Sequence, residues 1–354
     1  MLTVDLTNPA DTALRAYRVL VRQRVAILAA LALCALAAFW LDLMTGPSDL
    51  STAEALRGLL SPASLSDTDR VILWDVRLPA AVMAILVGAA LALAGAEMQT
   101  ILNNPLASPF TLGVSHAAAF GAAIGIVLGG SLPGVPENWI VSVNAFAFAF
   151  GATLLLQAIA GFIGASAQTL VLFGIAIFFT FEALVKLMQF IASDQALQQL
   201  VFWTMGNLSR ADWTKILYLA LAIAAVAPFS LAASWRMTAL RLGDERAKSL
   251  GIHVGRLRLL SLLRIAVLTA FAVAFVGTIG FIGLVGPHIA RLLLGEDHRF
   301  LLPGSLLSGA ALMSLASVAS KAIVPGVLVP IGIVTALIGV PFFVWLVLYR
   351  HRPA

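Results

Sequence analysis

Glu182 and Lys186 are the first residues whose type and spacing could do chemistry. They stand four apart in a largely apolar run from Phe178 to Phe190, and on a helix that spacing puts both on one face. Charges at membrane depth are costly, rare and functional by default. Two readings stay open: a mutually satisfied ion pair packed against neighbouring helices, or a pair facing a passage. The nearest approach to a metal-ligand cluster is His288 with Glu296, Asp297 and His298. Arg291 intervenes and the group falls where a loop belongs, so a solvated loop with one helix-end histidine is preferred over a ligand site. The chain contains no G-x-x-x-x-G-K-[ST], no H-E-x-x-H and no G-x-S-x-G, which removes the P-loop, the commonest zinc-hydrolase helix and the serine-hydrolase elbow. No catalytic residue, no metal ligand and no cofactor bound by this chain is expected.

The elements that must position these residues are set by composition. Of 354 residues, 61% are hydrophobic and 11% charged, where a soluble domain carries roughly 25% charged residues. Mean hydropathy is +1.00. Apolar runs long enough to cross a hydrocarbon core of about 30 Å recur throughout. The sequence pI of about 9.9 does not indicate nucleic acid, because Lys and Arg fall in short loops between spans, as topology signals do. The single cysteine, Cys34, excludes a disulfide framework. Leu31-Ala32-Leu33-Cys34 faintly resembles a lipoprotein box, but a small residue within a retained first span is the preferred reading.

Ten spans are expected, at 25–42, 79–102, 111–130, 138–163, 167–192, 214–235, 259–278, 279–294, 303–322 and 329–349. They make a single transmembrane domain, 25–349, with a cytoplasmic N-terminal segment, 1–24, and a short cytoplasmic tail, 350–354. The largest segments outside the spans are 43–77, outer, and 236–258, inner. With both termini inside, fifteen Lys and Arg lie inside, counting Arg258 and Arg264, against seven elsewhere. That asymmetry favours a cytoplasmic N-terminus.

Small residues at four-residue spacing allow helices to meet closely in lipid. Ala84, Gly88, Ala92 and Ala96 form one such stripe, and Ala117, Gly121, Gly125 and Gly129 another. Gly277, Gly280, Gly283 and Gly286 lead into Pro287, and Pro325, Gly326, Pro330, Gly332, Gly339 and Pro341 mark the last spans. Such composition suggests broken or tightly packed segments; breaks are tolerated only where protein or water satisfies the backbone and are often substrate-facing or mobile in transporters. Asn103-Asn104-Pro105 and Ser108-Pro109 stop the second span. Residues 244–250 predict a short amphipathic helix with Asp244 as N-cap and Gly251 as its stop.

Several motifs in order carry a resemblance. Arg77-Leu78-Pro79, Val87 to Gly95, Gln99, Asn104 to Pro109 and Leu112 to Ser115 come first. Trp203 to Gly206, Leu242-Gly243-Asp244 with Ala247 and Leu250-Gly251, and Gly280 to Leu284 with Pro287 to Arg291 follow. Pro330-Ile331-Gly332, Thr335-Ala336 and Gly339 to Phe343 close the set. From about 70 to 348 the chain resembles the FecCD-type permeases, membrane subunits of iron-siderophore, haem and cobalamin ABC importers. The resemblance implies an all-α type II importer permease of ten helices in a bacterial cytoplasmic (inner) membrane. It also implies a second permease subunit, identical or paralogous, two cytoplasmic ABC ATPases that bind ATP and Mg, and an extracytoplasmic binding protein.

By the same resemblance, Arg241, Leu242, Gly243, Asp244, Ala247, Leu250 and Gly251 match the segment that seats in the ATPase. Lys321 stands where the family often has an outer arginine that meets the binding protein, and Arg57 is a second docking candidate. Gln99, Asn104, Pro105, Glu182 and Lys186 are pathway or intramembrane candidates. Gly280, Gly283, Pro287, Pro330 and Gly332 are the broken-helix set. The sequence departs from the family at Ser317, where an Asp is usual, at Val327-Leu328-Val329, at Gly286 and at the Glu182/Lys186 pair. The implied function is ATP-driven uptake of an iron-siderophore or related metal chelate. The alternatives are an ion-coupled secondary transporter using Glu182 and a polytopic membrane enzyme.

Overall fold

The computed structural model describes residues 9–46, 50–130, 134–163, 166–324 and 326–350. Pro325 and the tail beyond 350 lie outside them. The described residues are helical, with no strand among them. The helices are α1 (Pro9–Met44), α2 (Thr52–Leu60), α3 (Asp67–Val71), α4 (Leu78–Ile101), α5 (Val114–Val127), α6 (Ile140–Ile163), α7 (Ala167–Ile191) and α8 (Asp194–Thr204). They continue with α9 (Trp213–Ala232), α10 (Ser234–Leu240), α11 (Asp244–Ser249), α12 (Val254–Val276), α13 (Ile282–Leu294), α14 (His298–Ala322) and α15 (Ile331–Arg350). Among the described residues, seven helical segments are long and apolar enough to cross a membrane alone, and α5, α13 and the apolar part of α15 are shorter. Each expected span coincides with one of these ten.

α4 is the axis. Twenty of its 24 residues are buried, and α1, α9, α12, α13 and α14 surround it. Glycine and alanine make that crowding feasible. Gly88 of α4 lies against the Gly309 backbone of α14, and Gly309 in turn lies against Ala92. Gly95 meets the backbone of Gly283 in α13. The second stripe also forms a seam: Gly121 and Gly125 of α5 approach Asn144 and Val141 of α6, while Gly129 faces open space.

Local signals set the ends. Ser166 caps α7 through Thr169 N–H at 3.0 Å, and Asp212 caps α9 through Lys215 N–H at 2.9 Å, satisfying otherwise orphaned donors. Gly113 starts α5 with φ +79°, where its Cα lies against the α7 backbone at Ile177 and Phe178; only glycine fits both demands. The outer segment 43–77, expected as a loop, is mostly helical: α2 carries a Ser51/Glu54 capping box, and helix continues from Asp67 into α4. α8 was not anticipated either.

The Gly/Pro-rich segments are broken only in part: the helix is interrupted around Gly277 and Gly280 and before Ile331, whereas Gly283, Gly286 and Pro287 lie inside α13 and Gly332, Gly339 and Pro341 inside α15. α12 ends at Gly277 with φ +83°, and α13 begins after Phe281, itself at φ +66°. Three breaks meet and satisfy one another. Asn207 N–H donates to the Val276 carbonyl (2.7 Å), Ile331 N–H to Gly206 (3.2 Å) and Gly332 N–H to Met205 (2.9 Å). Gly283 packs on the Leu91 carbonyl, and Gly332 on that of Met205; Gly280 has open space around it. Pro287 lies inside α13.

Gly95→Ala is expected to push α4 and α13 apart at a cost of about 1–3 kcal/mol, the usual scale of overpacking. Gly151→Ala, where a methyl meets nothing, is the control. Thermal unfolding in detergent distinguishes them, and equal midpoints would mean that the α4–α13 contact contributes nothing.

Candidate functional site

The end of α4 that turns into Asn103 collects a chain of charge-assisted bonds from four other elements. Arg258 of α12 donates through Nε to the Ile101 carbonyl at 2.9 Å. Its two terminal nitrogens grip Asp244 of α11 at 2.8 and 2.9 Å. Arg264, two turns along α12, donates from Nε and Nη2 to Glu97 at 2.9 and 2.8 Å. Arg291 of α13 donates to Gln99 at 2.9 Å and to Glu296 at 3.2 Å. Arg241, just past α10, reaches Asn103 at 3.1 Å and Glu296 at 2.9 Å. His298 sets one ring nitrogen 2.7 Å from the Thr100 hydroxyl and the other 3.2 Å from that of Thr238. Nearby, the Arg299 guanidinium holds the Asp297 carboxyl below the usual carboxylate range, and Arg24 of α1 also reaches it at 3.2 Å.

These bonds fix the loop 241–252. Asp244 was expected to cap α11, but Gly243 holds that position, with φ +99°, and makes no side-chain cap. The Asp244 carboxylate is spent on Arg258 instead. Ala247 is fully buried under the helix, and Gly251 ends it with φ +81°, as expected. Leu242 and Leu250 project outward, each about half exposed. The loop is thus a short helical knob that exposes Leu242 and Leu250 together with Glu245, Arg246 and Lys248, tied through Arg258 to the end of the axial helix.

Other expected site residues fall differently. Gln99 is fully buried and ties α4 to α13 through Arg291 and the Leu284 carbonyl; it is a strut rather than part of a passage wall. Asn104 closes a turn by accepting from Leu106 N–H at 2.9 Å, and Pro105 lies in the same turn. Lys321 is not presented outward: its ammonium is buried 2.7 Å from Asp42 of α1, a partner from the far end of the sequence. Arg57 is exposed on α2. The Glu182–Lys186 pair forms at 2.8 Å on an open face of α7. His288 is buried beside Phe342, and the polar residues after it are spent on arginines and threonines. No metal-holding group of His, Cys, Asp or Glu exists among the described residues.

Sequence reasoning missed Glu97, a carboxylate within an apolar run, although the cost of burying it was a signal available there. It also counted Arg258 and Arg264 among the charges on the inner side, whereas both lie within α12 with their side chains 5% and 11% exposed. Beside the triple break, an apolar cavity of about 630 Å³ opens between Met205, Gly280, Phe281, Gly332, Ala336 and Leu337. Its walls offer almost nothing that could select a polar solute.

The model of the FecCD transport family matches residues 33–349. The hemin transport system permease protein HmuU of Yersinia pestis is 38% identical, over 80% of this chain and 83% of its own. The vitamin B12 import system permease protein BtuC of Salmonella typhi is 38% identical, over 81% and 87%. A solved structure described as an inward-facing conformation of a metal-chelate type ABC transporter is 33% identical and covers 92% of this chain and 99% of its own, with a TM-score of 0.80.

Removing the Glu97 charge leaves Arg264 buried and uncompensated, a change worth about 3–5 kcal/mol. Glu97→Ala is expected to lower the thermal midpoint in detergent sharply, and Glu97→Gln with Arg264→Gln together to recover part of the loss. A double variant no better than the sum of the singles would show that the two residues act independently.

Proposed function

Because the chain belongs to the FecCD transport family, we propose that it is the membrane-spanning subunit of an ABC importer for an iron chelate or a related metal–organic compound. The relatives named for hemin and vitamin B12 support that solute class. An iron-siderophore is one member of that class. The setting is a bacterial cytoplasmic membrane, with both termini inside. The single observation that supports coupling is the knob at 241–252: two exposed leucines among charged residues on a loop tied by Arg258 to the axial helix.

On this reading a separate ATPase binds ATP and Mg and receives Leu242 and Leu250 in a groove, as short amphipathic helices are received. Closure of two such ATPases pushes α11. The Asp244–Arg258–Ile101 link passes that displacement to α4 and α12 together. A second permease subunit faces this one, and the solute moves along apolar walls such as the cavity at Gly280 and Gly332. Such walls leave the choice of solute to an extracytoplasmic binding protein, for which exposed Arg57 is a docking charge. The energy that separates the inward and outward states comes from nucleotide and binding-protein contacts that differ between them.

The test is co-purification of the ATPase with the permease, followed by uptake in proteoliposomes. Asp244→Arg and Gly243→Trp are each expected to weaken ATPase association about ten-fold or more, equivalent to about 1.4 kcal/mol, and to abolish uptake. Wild-type uptake should require ATP and the binding protein. Uptake driven by an ion gradient without ATP, or full ATPase association by both variants, would overturn the proposal.

A further inference from the structure

At the end of the bundle opposite α11, Arg210 is a cation without a counter-ion. Its Nη1 is buried with no hydrogen-bond partner, and no salt bridge engages it among the described residues. It lines a cavity of about 490 Å³ with Lys215, Asn138, Ser142, Gln198 and Gln199. No carboxylate lines that cavity. Lys215 is already neutralised by Asp212 at 2.8 Å, so the lining carries one net positive charge, surrounded by neutral amide and hydroxyl groups. A buried guanidinium nitrogen without an acceptor is unfavourable, and burial pushes Arg210 below its ordinary pKa. An anion with a single charge and several acceptor oxygens would complete the site.

A second, independent feature says what carries that anion. At Ser142 and Phe275 the polar cavity meets another of about 490 Å³, lined by Trp139, Phe146, Tyr218, Phe271 and Phe275. This groove lies over α12, between α6 and α9. Trp139 and Tyr218 pack edge-on across its mouth at 5.8 Å, as interfacial aromatics do. From Asn138 to Phe146 the groove descends about 12 Å at 1.5 Å per residue. A free anion has no use for that depth of aromatic surface, and a hydrocarbon tail has.

We propose that the Arg210 cavity and the adjoining aromatic groove form a binding site for one membrane phospholipid, with its phosphodiester on Arg210 and an acyl chain along Phe146, Phe271 and Phe275. A phosphodiester has the single charge that the lining can balance; a phosphomonoester or free phosphate carries more. The lipid would bridge α6, α8 and α9, which are otherwise loosely joined at this end, and the site is independent of which solute is carried.

The experiment is to purify the permease with its ATPase partner in mild detergent from nanodiscs of phosphatidylglycerol and phosphatidylethanolamine, and to count retained phospholipid by native mass spectrometry. Wild type is expected to keep one phospholipid per chain. Arg210→Gln should reduce occupancy about ten-fold, the scale of one lost charge-assisted hydrogen bond, while Arg210→Lys should keep most of it. Millimolar inorganic phosphate should not displace the lipid. Unchanged retention in Arg210→Gln, or loss in Arg210→Lys equal to that in Arg210→Gln, would overturn the proposal. So would displacement by inorganic phosphate, which would mark a soluble-anion site. Weakened docking of the binding protein or second subunit with lipid retention intact would mark a protein contact instead.

Discussion

Arg258 is buried where the axial helix ends, and a guanidinium in that position must find acceptors, because an uncompensated buried charge costs several kcal/mol. It finds one in the Ile101 carbonyl, an orphan acceptor at the end of α4, and two in the Asp244 carboxylate. This one side chain closes the last turn of α4, anchors α12 and holds the 241–252 knob. Around it Arg264, Arg291 and Arg241 repeat the arrangement with Glu97, Gln99 and Asn103. The four arginines come from three stretches of chain, α12, α13 and the residue after α10, and each reaches an acceptor at the same end of α4. The geometry is directional, so a push on α11 has a defined mechanical recipient.

The opposite end is held by a different kind of force. There the joints are backbone hydrogen bonds among residues 205–207, 276 and 331–332, with glycine wherever two chains touch. Such bonds satisfy irregular backbone at membrane depth without fixing long side chains. A buried ion pair, Lys321–Asp42 at 2.7 Å, lies beside residues 206, 207 and 331, so charge supplements the backbone bonds at this end. Between the two ends α4 packs against α13 and α14 on glycine and alanine surfaces.

The ten spans were legible because they are local: apolar runs must be helices in lipid; the Gly/Pro breaks were legible only in part, since Pro287 and Pro341 lie inside α13 and α15. The clamp was not, because its partners are remote in sequence. Glu97 and Arg264 are 167 residues apart, and Lys321 and Asp42 are 279 apart; no local pattern joins them. The cap at α11 went wrong for the same reason. Asp244 has the chemistry of an N-cap, but a buried arginine fourteen residues away offers its carboxylate two bonds, and the tertiary partner wins over the local one. The helical content of 43–77 was hidden by its polar composition, which reads as loop until capping at Ser51 and Ser66 is seen.

The Glu182–Lys186 pair remains to be placed in the same scheme. Its two side chains satisfy each other at 2.8 Å, as the first of the two readings has it, and are 33% and 68% exposed on this chain, so no neighbouring helix of the same chain covers them fully. An ion pair on an open helical face at membrane depth is costly against hydrocarbon. The face of α7 that bears it is therefore suited to water or to another protein surface. In the proposed assembly that places α7 beside the second subunit or along the passage, whereas Phe146 and its neighbours on α6 suit lipid. Burial of charge at the clamp and its exposure on α7 follow from one rule: a charge within the membrane must have either a partner inside the fold or something other than lipid outside it.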